Sequence, residues 1–349
     1  MMQKCTGAVN TKMSMRGHWY IICRSKQLRN KPLARQVLGE HLVAFRDAQG
    51  QASVLKDRCA HRNMALSRGT VTEKGVRCSY HGWTYGGDGQ CTDIPASCES
   101  CESYAKIKVP SFSVIEKQGV VWVWMANTDG PSEPDTEPLD FPMIEEAGWN
   151  HWFMERHFEG NAFHCVENFL DVPHTAHVHR GLFRGDEENE VEIEITSGTD
   201  WIQAEFINEG GMDSWIGKLL VPKGSQVYHT DKFQLPYVTR VDYRMAENRQ
   251  YIVMSQCTPI DEENTRVFTY MAYRFSPLGA LVKGVFAPLS HVILNQDVRI
   301  IREQTEDLRR TGAPKFLYYD TDAIAKGIRQ LLDGKSLEGK EPERKKIKA

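Results

Sequence analysis

Asp57-Arg58-Cys59-Ala60-His61-Arg62 and Cys78-Ser79-Tyr80-His81-Gly82-Trp83, with sixteen residues between His61 and Cys78, decide how this chain is read. Two thiols and two imidazoles arrive as matched pairs, Cys-x-His and Cys-x-x-His. Each pair sits in a short loop flanked by apolar, strand-like sequence. A structural zinc site also takes two cysteines and two histidines, but usually with the cysteines together and the histidines together. The alternating order suits a two-iron, two-sulfide cluster with one iron on two cysteines and the other on two histidines. Cys59, His61, Cys78 and His81 are the expected ligands. Neutral imidazole in place of thiolate lowers the negative charge, so the potential sits above that of an all-cysteine cluster. Alone, these loops specify an electron carrier, not an enzyme.

Outward from the loops, 349 residues suffice for two domains with their own cores. Charged residues at 26%, hydrophobic ones at 41% and a formal net charge of −3 point to neither a nucleic-acid nor an anionic-membrane partner. No apolar run is long enough to span a bilayer, and residues 1–15 lack the apolar centre of a signal peptide. Nine cysteines, an odd number that includes two iron thiolates, argue for a reducing cytoplasm rather than a disulfide framework. Cys98-x-x-Cys101 lies in a Ser- and Glu-rich stretch without a following helical pattern, and reads as two loop cysteines without a role.

From His18 to Asn127 short β-rich segments such as Trp19–Ile22, Leu42–Phe45 and Val120–Trp124 alternate with turn clusters at Asp47–Gly50 and Gly86–Gly89. That pattern predicts an antiparallel sandwich, residues 15–127, with both ligand loops at one end. Residues 128–150 are rich in Pro and acidic residues and read as a linker. A second domain over 151–335 shows one helical stretch near 164–178, β-rich sequence to 275, then helices near 281–311 and 321–332. The lysine-rich residues 336–349 read as a flexible tail. Strands in one run and helices in another make the chain α+β, with a sheet covered by helices.

A second constellation lies in Asn168-Phe-Leu-Asp171-Val-Pro-His174-Thr-Ala-His177-Val-His179. Imidazoles and a carboxylate with open coordination positions are what mononuclear Fe(II) needs to meet dioxygen. On a regular helix Asp171, His174 and His177 share a face, while His179 falls about 140° from His174. Helical geometry alone therefore pairs His174 with His177. His164 reads as a core histidine or a neighbour of the site.

Both constellations resemble the Rieske non-haem iron oxygenases. Cys-x-Tyr-His-Gly-Trp at residues 78–83, Gly89-Gln90-Cys91, Ile94-Pro95-Ala96 and Gly119–Trp124 match the cluster domain of the ring-hydroxylating enzymes. Asn168-x-x-Asp171-x-x-His174-x4-His179 matches their iron motif at each fixed position. The resemblance implies a catalytic domain of helix-grip type, and it names His179, not His177, as partner to His174, which requires the helix to end or loosen between them. It places the third iron ligand at Asp297 in a downstream helix and puts Asn168 near the iron. It gives Asp171 the role of a bridge from His174 to His81 of a neighbouring subunit, within a head-to-tail homotrimer. Size and motif spacing look most like the vanillate and dicamba O-demethylase type. The implied activity is that of a terminal oxygenase: O2 and electrons from NAD(P)H, relayed by a separate flavin or iron–sulfur reductase or a ferredoxin, hydroxylate or demethylate a small organic substrate. A cis-dihydroxylating dioxygenase and a Rieske electron carrier are the rival readings. The substrate pocket is expected to be lined by Leu182, Phe183 and the β-rich stretch up to 275.

Overall fold

The computed structural model describes residues 15–97, 104, 106–127, 133–179, 190–209, 227–275, 279–312, 316–319, 322 and 324–348. The chain divides into two compact units, with the boundary between Asp140 and Phe141, inside the stretch read as a linker.

The first unit is built from β1 (His18–Arg24), β2 (Leu33–Val37), β3 (Glu40–Arg46), β4 (Ala52–Lys56), β5 (Thr70–Thr72), β6 (Gly75–Arg77), β7 (Thr84–Tyr85), β8 (Cys91–Asp93), β9 (Ser111–Phe112), β10 (Val114–Lys117) and β11 (Val120–Met125). They form three antiparallel sheets, β1-β11-β10, β2-β3-β4-β9 and β5-β6-β7-β8. The uninterrupted apolar run of β11 fits its place between two neighbours, and all of its residues are buried. The first ligand loop joins β4 to β5 and the second joins β6 to β7. Both are closed by their own backbone: Cys59 N–H donates to Met64 O at 2.8 Å, and Cys78 N–H donates to Trp83 O at 2.8 Å. Gly82 turns the second loop at φ +77°, and an added Cβ would meet the Pro95 ring at 2.9 Å. Cys98 and Cys101 lie outside the described residues.

The second unit holds β12 (Asn150–Phe158), α1 (Ala162–Phe169), α2 (His174–Val178), β13 (Glu190–Ser197), β14 (Trp201–Glu209), β15 (Val227–Gln234), β16 (Val238–Ala246), β17 (Arg249–Pro259), β18 (Thr265–Phe275), α3 (Gly279–Thr311), α4 (Ala325–Leu332) and β19 (Glu343–Lys348). Its eight strands make one antiparallel sheet in the order β12-β18-β17-β16-β15-β14-β13-β19. The helices pack on this sheet through an apolar core that includes Phe163, Val166, Leu294 and Ile301, the α+β arrangement expected.

Two expectations need correction here. The single helix read over 164–178 is two: α1 ends at Phe169 and α2 starts at His174, with Pro173 as its N-cap residue. Proline disfavours helical backbone in the residue before it and lacks the N–H that would continue the helix. The tail is not free over its length either. Residues 343–348 form β19 against β13, with Ile347 buried and Arg344 Nε donating to Glu194 at 2.8 Å. Basic residues alternate there with the acidic face of β13, and the apolar Ile347 anchors the pair. Among the described residues no helix is long and apolar enough to cross a membrane.

Candidate metal centres and the cavity beside the second

In the first unit the short strands β5 to β8 hold the two ligand loops together. Cys59 and Cys78 are buried, whereas His81 is exposed and Tyr80 beside it is 61% exposed. The His61 and His81 rings lie 4.5 Å apart, and Trp83 stacks on His61 at 4.5 Å and 7°. The Tyr85 hydroxyl lies 3.3 Å from Cys59 Sγ and accepts from the Ala60 N–H at 3.2 Å; with Cys59 as a metal-bound thiolate, only the hydroxyl has a proton to donate between them. Burial pushes the Cys78 thiol up, against the backbone N–H groups of Tyr80 and His81 that stabilise its thiolate. Burial, with His81 and Arg62 nearby, pushes His61 down and so favours its neutral form, the one that binds metal. His61 Nδ1 is buried without a hydrogen-bond partner. A buried orphan nitrogen beside two buried sulfurs fits a cluster with mixed cysteine and histidine ligands.

In the second unit three elements converge. His174 opens α2, His179 caps its C-terminus, and Asp297 sits in the middle of α3. Helical backbone stops at Val178, where His179 adopts φ −106° and ψ 34°. His179 is buried and meets Asp297, whereas His177 is exposed. The ligand atoms of His174, His179 and Asp297 all lie within 4.8 Å of one another. Donors held about 2 Å from a shared ion lie at most about 4 Å apart, so this spacing is close to that of a common ligand set. His179 Nε2 is 3.1 Å from Asp297 Oδ1, and His174 Nε2 is 3.6 Å from it, too far for a hydrogen bond. His174 Nε2 is a second buried nitrogen without a partner. Two histidines and a carboxylate make the facial set of non-haem iron.

Three further groups hold these side chains in place. His179 Nδ1 lies 2.8 Å from Gln296 Oε1, and Asn168 Nδ2 donates to Asp297 Oδ1 at 3.0 Å. His174 Nδ1 donates to the main-chain carbonyl of Asp171. These partners leave Nε2 of both histidines for a metal. The observed geometry thus differs from the expected bridge in one respect: Asp171 contacts His174 through its backbone rather than its carboxylate. Burial works to raise the Asp297 carboxyl, but His174, His179 and Asn168 outweigh it and hold it below the usual range. Burial works to lower His174, and Asp297 and the Asp171 carbonyl outweigh it in turn.

Beside these residues opens a cavity of about 180 Å³. Its floor is three cross-strand rows of the sheet, among them His229, Tyr243 and Tyr251, then Asp231, Val241, Val253 and Met271, then Thr239, Ser255 and Thr269. Phe169 of α1, Leu294 of α3 and Val172 between α1 and α2 form the opposite wall. Leu182 and Phe183 lie outside the described residues. A second cavity of about 540 Å³ lies behind α1 and is lined by His164, Glu167, Tyr318 and Asp322. His164 lines this second space and is not among the three grouped metal ligands. Sequence reasoning passed over Gln296, whose only signal is its place before Asp297, and the His229-x-Asp231 pair on β15.

Residues 18–113 match the Rieske [2Fe-2S] domain, and residues 158–336 match the vanillate O-demethylase oxygenase C-terminal domain. The chain is 30% identical over 200 residues to the oxygenase component of dicamba O-demethylase from Stenotrophomonas maltophilia, covering 57% of this chain and 58% of that one. It is 23% identical over 345 residues to the vanillate O-demethylase oxygenase subunit of Pseudomonas sp. (strain HR199 / DSM 7063), covering 90% and 93%. The chain spans about half the length or less of most of the curated relatives it matches. The crystal structure of dicamba monooxygenase bound to dicamba shares the fold, with a TM-score of 0.78 at 21% identity over 92% of this chain and 97% of that one.

Proposed function

This chain belongs to the Rieske oxygenases whose catalytic domain is that of the vanillate O-demethylase oxygenase, and on that premise we propose that it is the terminal oxygenase of a multicomponent monooxygenase. Its reaction is hydroxylation or oxidative demethylation of a small organic substrate, with electrons drawn from NAD(P)H through a separate reductase or ferredoxin. Cys59, His61, Cys78 and His81 hold the [2Fe-2S] cluster, and His174, His179 and Asp297 hold mononuclear iron. The observation that carries this reading is the convergence of those last three, with ligand atoms within 4.8 Å and His174 Nε2 buried without a partner. It disfavours a bare electron carrier, which has no use for a second metal centre.

When bound, the cluster supplies single electrons and the iron activates dioxygen for insertion into a C–H bond. The chain's own residues prepare that event. Asn168 holds one Asp297 oxygen, while Gln296 and the Asp171 carbonyl fix the orientation of the two imidazoles. Trp83 covers one face of His61, and Tyr85 donates to Cys59. Phe169, Val172, Val241 and Leu294 keep bulk water from the cavity in which the substrate rests. The Asp171 carboxylate meets His81 of the partner subunit in a head-to-tail homotrimer. The exposure of His81 supports this role, as does a carboxylate not spent on His174.

Metal analysis of the purified protein tests the assignment. Three irons per chain are expected, falling to two in His174→Ala with the paramagnetic signal of the reduced cluster retained. Two irons in the unaltered protein, or no loss in His174→Ala, overturns it.

A further inference from the structure

The cavity beside the iron ligands holds a polar pair that the chemistry above does not use. His229 and Asp231 stand two residues apart on β15, on one face of the sheet, with His229 Nε2 donating to Asp231 Oδ1 at 3.0 Å. Both are buried, at 1% and 3% exposure, yet both line the cavity. The imidazole is clamped between the rings of its cross-strand neighbours, Phe206 at 4.2 Å and 12° and Tyr243 at 4.2 Å and 19°. The two rings hold its plane so that Nε2 stays on Asp231. Asp231 Oδ2 has no hydrogen-bond partner among the described residues. A largely buried carboxylate is stabilised by each further donor that reaches it.

The rest of the lining determines what can donate. No lysine or arginine is among the described residues around the cavity, while Asp171, Asp231 and Asp297 all are. Several of the other hydroxyls are engaged: Ser255 with Thr269 at 3.0 Å, Ser290 with the Phe286 carbonyl at 2.7 Å, Thr175 with the Val172 carbonyl at 2.8 Å and Tyr251 with Met271 Sδ at 3.3 Å. Thr239 and the metal-ligand imidazoles aside, the remaining walls are mostly apolar or aromatic. The volume of about 180 Å³ compares with roughly 150 Å³ for a cavity that takes up benzene, so it admits one ring and a short substituent. With iron on His174, His179 and Asp297 the ion's two positive charges stand against three carboxyl side chains, and no lysine or arginine is there to pair with a substrate carboxylate.

We propose that the His229–Asp231 pair is the recognition element of this cavity, and that the substrate brings to it an ammonium group or an N–H donor. Resting on the reading of this cavity as the substrate site, the inference narrows the substrate class to small amines and N-heterocycles with a single-ring or equivalent apolar body. Asp231 accepts the donor, His229 holds the carboxylate toward it, and the apolar end of the substrate is left to face the metal ligands.

Three probes of one shape test this: benzylamine, benzyl alcohol and benzoate, titrated calorimetrically into the iron-loaded enzyme without dioxygen or reductase. Benzylamine is expected to bind about tenfold more tightly than benzyl alcohol, and benzoate more weakly than either. Asp231→Asn should remove the benzylamine advantage while leaving benzyl alcohol within about twofold of its original affinity, which also shows that the cavity is intact. The ranking in the unaltered enzyme needs no variant and stands if Asp231→Asn fails to fold. Benzoate matching benzylamine, no saturable benzylamine binding in the millimolar range, or a preference that survives Asp231→Asn overturns the inference. Iron is counted on the same preparation. Two irons per chain defeats the oxygenase reading, whereas a lost preference at three irons defeats only this one.

Discussion

Tyr85 shows how one residue outside a ligand set can set its behaviour. Its hydroxyl proton points to Cys59 Sγ at 3.3 Å, and burial followed by Cys59 itself raises the phenol, so it stays a donor at any working pH. A hydrogen bond to a thiolate favours the reduced, more negative cluster. Tyr85→Phe should therefore lower the reduction potential. A differential worth of about 1 kcal/mol corresponds to roughly 40 mV for one electron. A redox titration followed by the reduced-cluster signal reads it, and an unchanged or raised potential would remove Tyr85 from the tuning of the site. The ligands themselves are legible in the sequence, because cysteine and histidine at fixed short spacings are uncommon outside metal sites. Their supports are not. His179 and Gln296 are 117 positions apart, and Asn168 and Asp297 are 129 apart. Only the packing of α3 on the sheet brings them together. His229 and Asp231 are near neighbours, yet alternation along a strand places many such pairs on one face. Only the burial of this pair against a cavity distinguishes it.

At the scale of elements, α1 carries two titratable groups whose environments pull in opposite directions. Burial, with Arg329 assisting, lowers His164 to about 4. Burial, then the like charge of Asp322, raises Glu167 to about 8 despite the Tyr318 hydroxyl. The histidine is held below its unfolded value, so the folded state binds fewer protons and stability rises with pH between about 4 and 6.5. The glutamate is held above its unfolded value. Its contribution is whole below about 4.5 and is lost as pH rises toward 8. Above pH 6.5 only the second effect operates. The melting temperature should fall between pH 6.5 and 8 by the equivalent of about 2 kcal/mol, a few degrees for a domain of this size. Glu167→Gln should flatten that fall, and a slope that persists in the variant would assign it to other groups. Strand β19 makes a different point. Composition alone reads its lysines as a solvated tail, because the complementary acids lie about 150 positions earlier on β13. The ion pairs it makes are exposed and screened by solvent. Ile347 is buried, and truncating a buried isoleucine costs about 2 kcal/mol or more. Ile347→Ala should thus lower the melting temperature by several degrees and Arg344→Ala by little. The reverse order would make charge, not burial, the anchor of the strand.

For the molecule as a whole, the two metal sites belong to different compact units, each with its own core and its own family match. A division of that kind lets each centre be assembled and altered alone, and it makes the route between them a separable question. In the proposed homotrimer the electron leaves the cluster through His81 of one subunit and reaches iron past Asp171 of the next. Asp171→Ala spares the three iron ligands, and His81→Ala spares the whole catalytic unit. Neither variant should turn over substrate when it forms trimers with itself. Refolded or co-expressed as an equal mixture, the two variants restore a competent junction wherever an intact cluster meets an intact Asp171. Random assembly gives that arrangement at about a quarter of the junctions. Recovery of roughly a quarter of the unaltered rate, with each variant alone inactive, is the expected result. If electrons instead pass within one chain, every chain in the mixture lacks one end of the path. The hybrids then stay as inactive as their parents, and the proposed assembly fails with them.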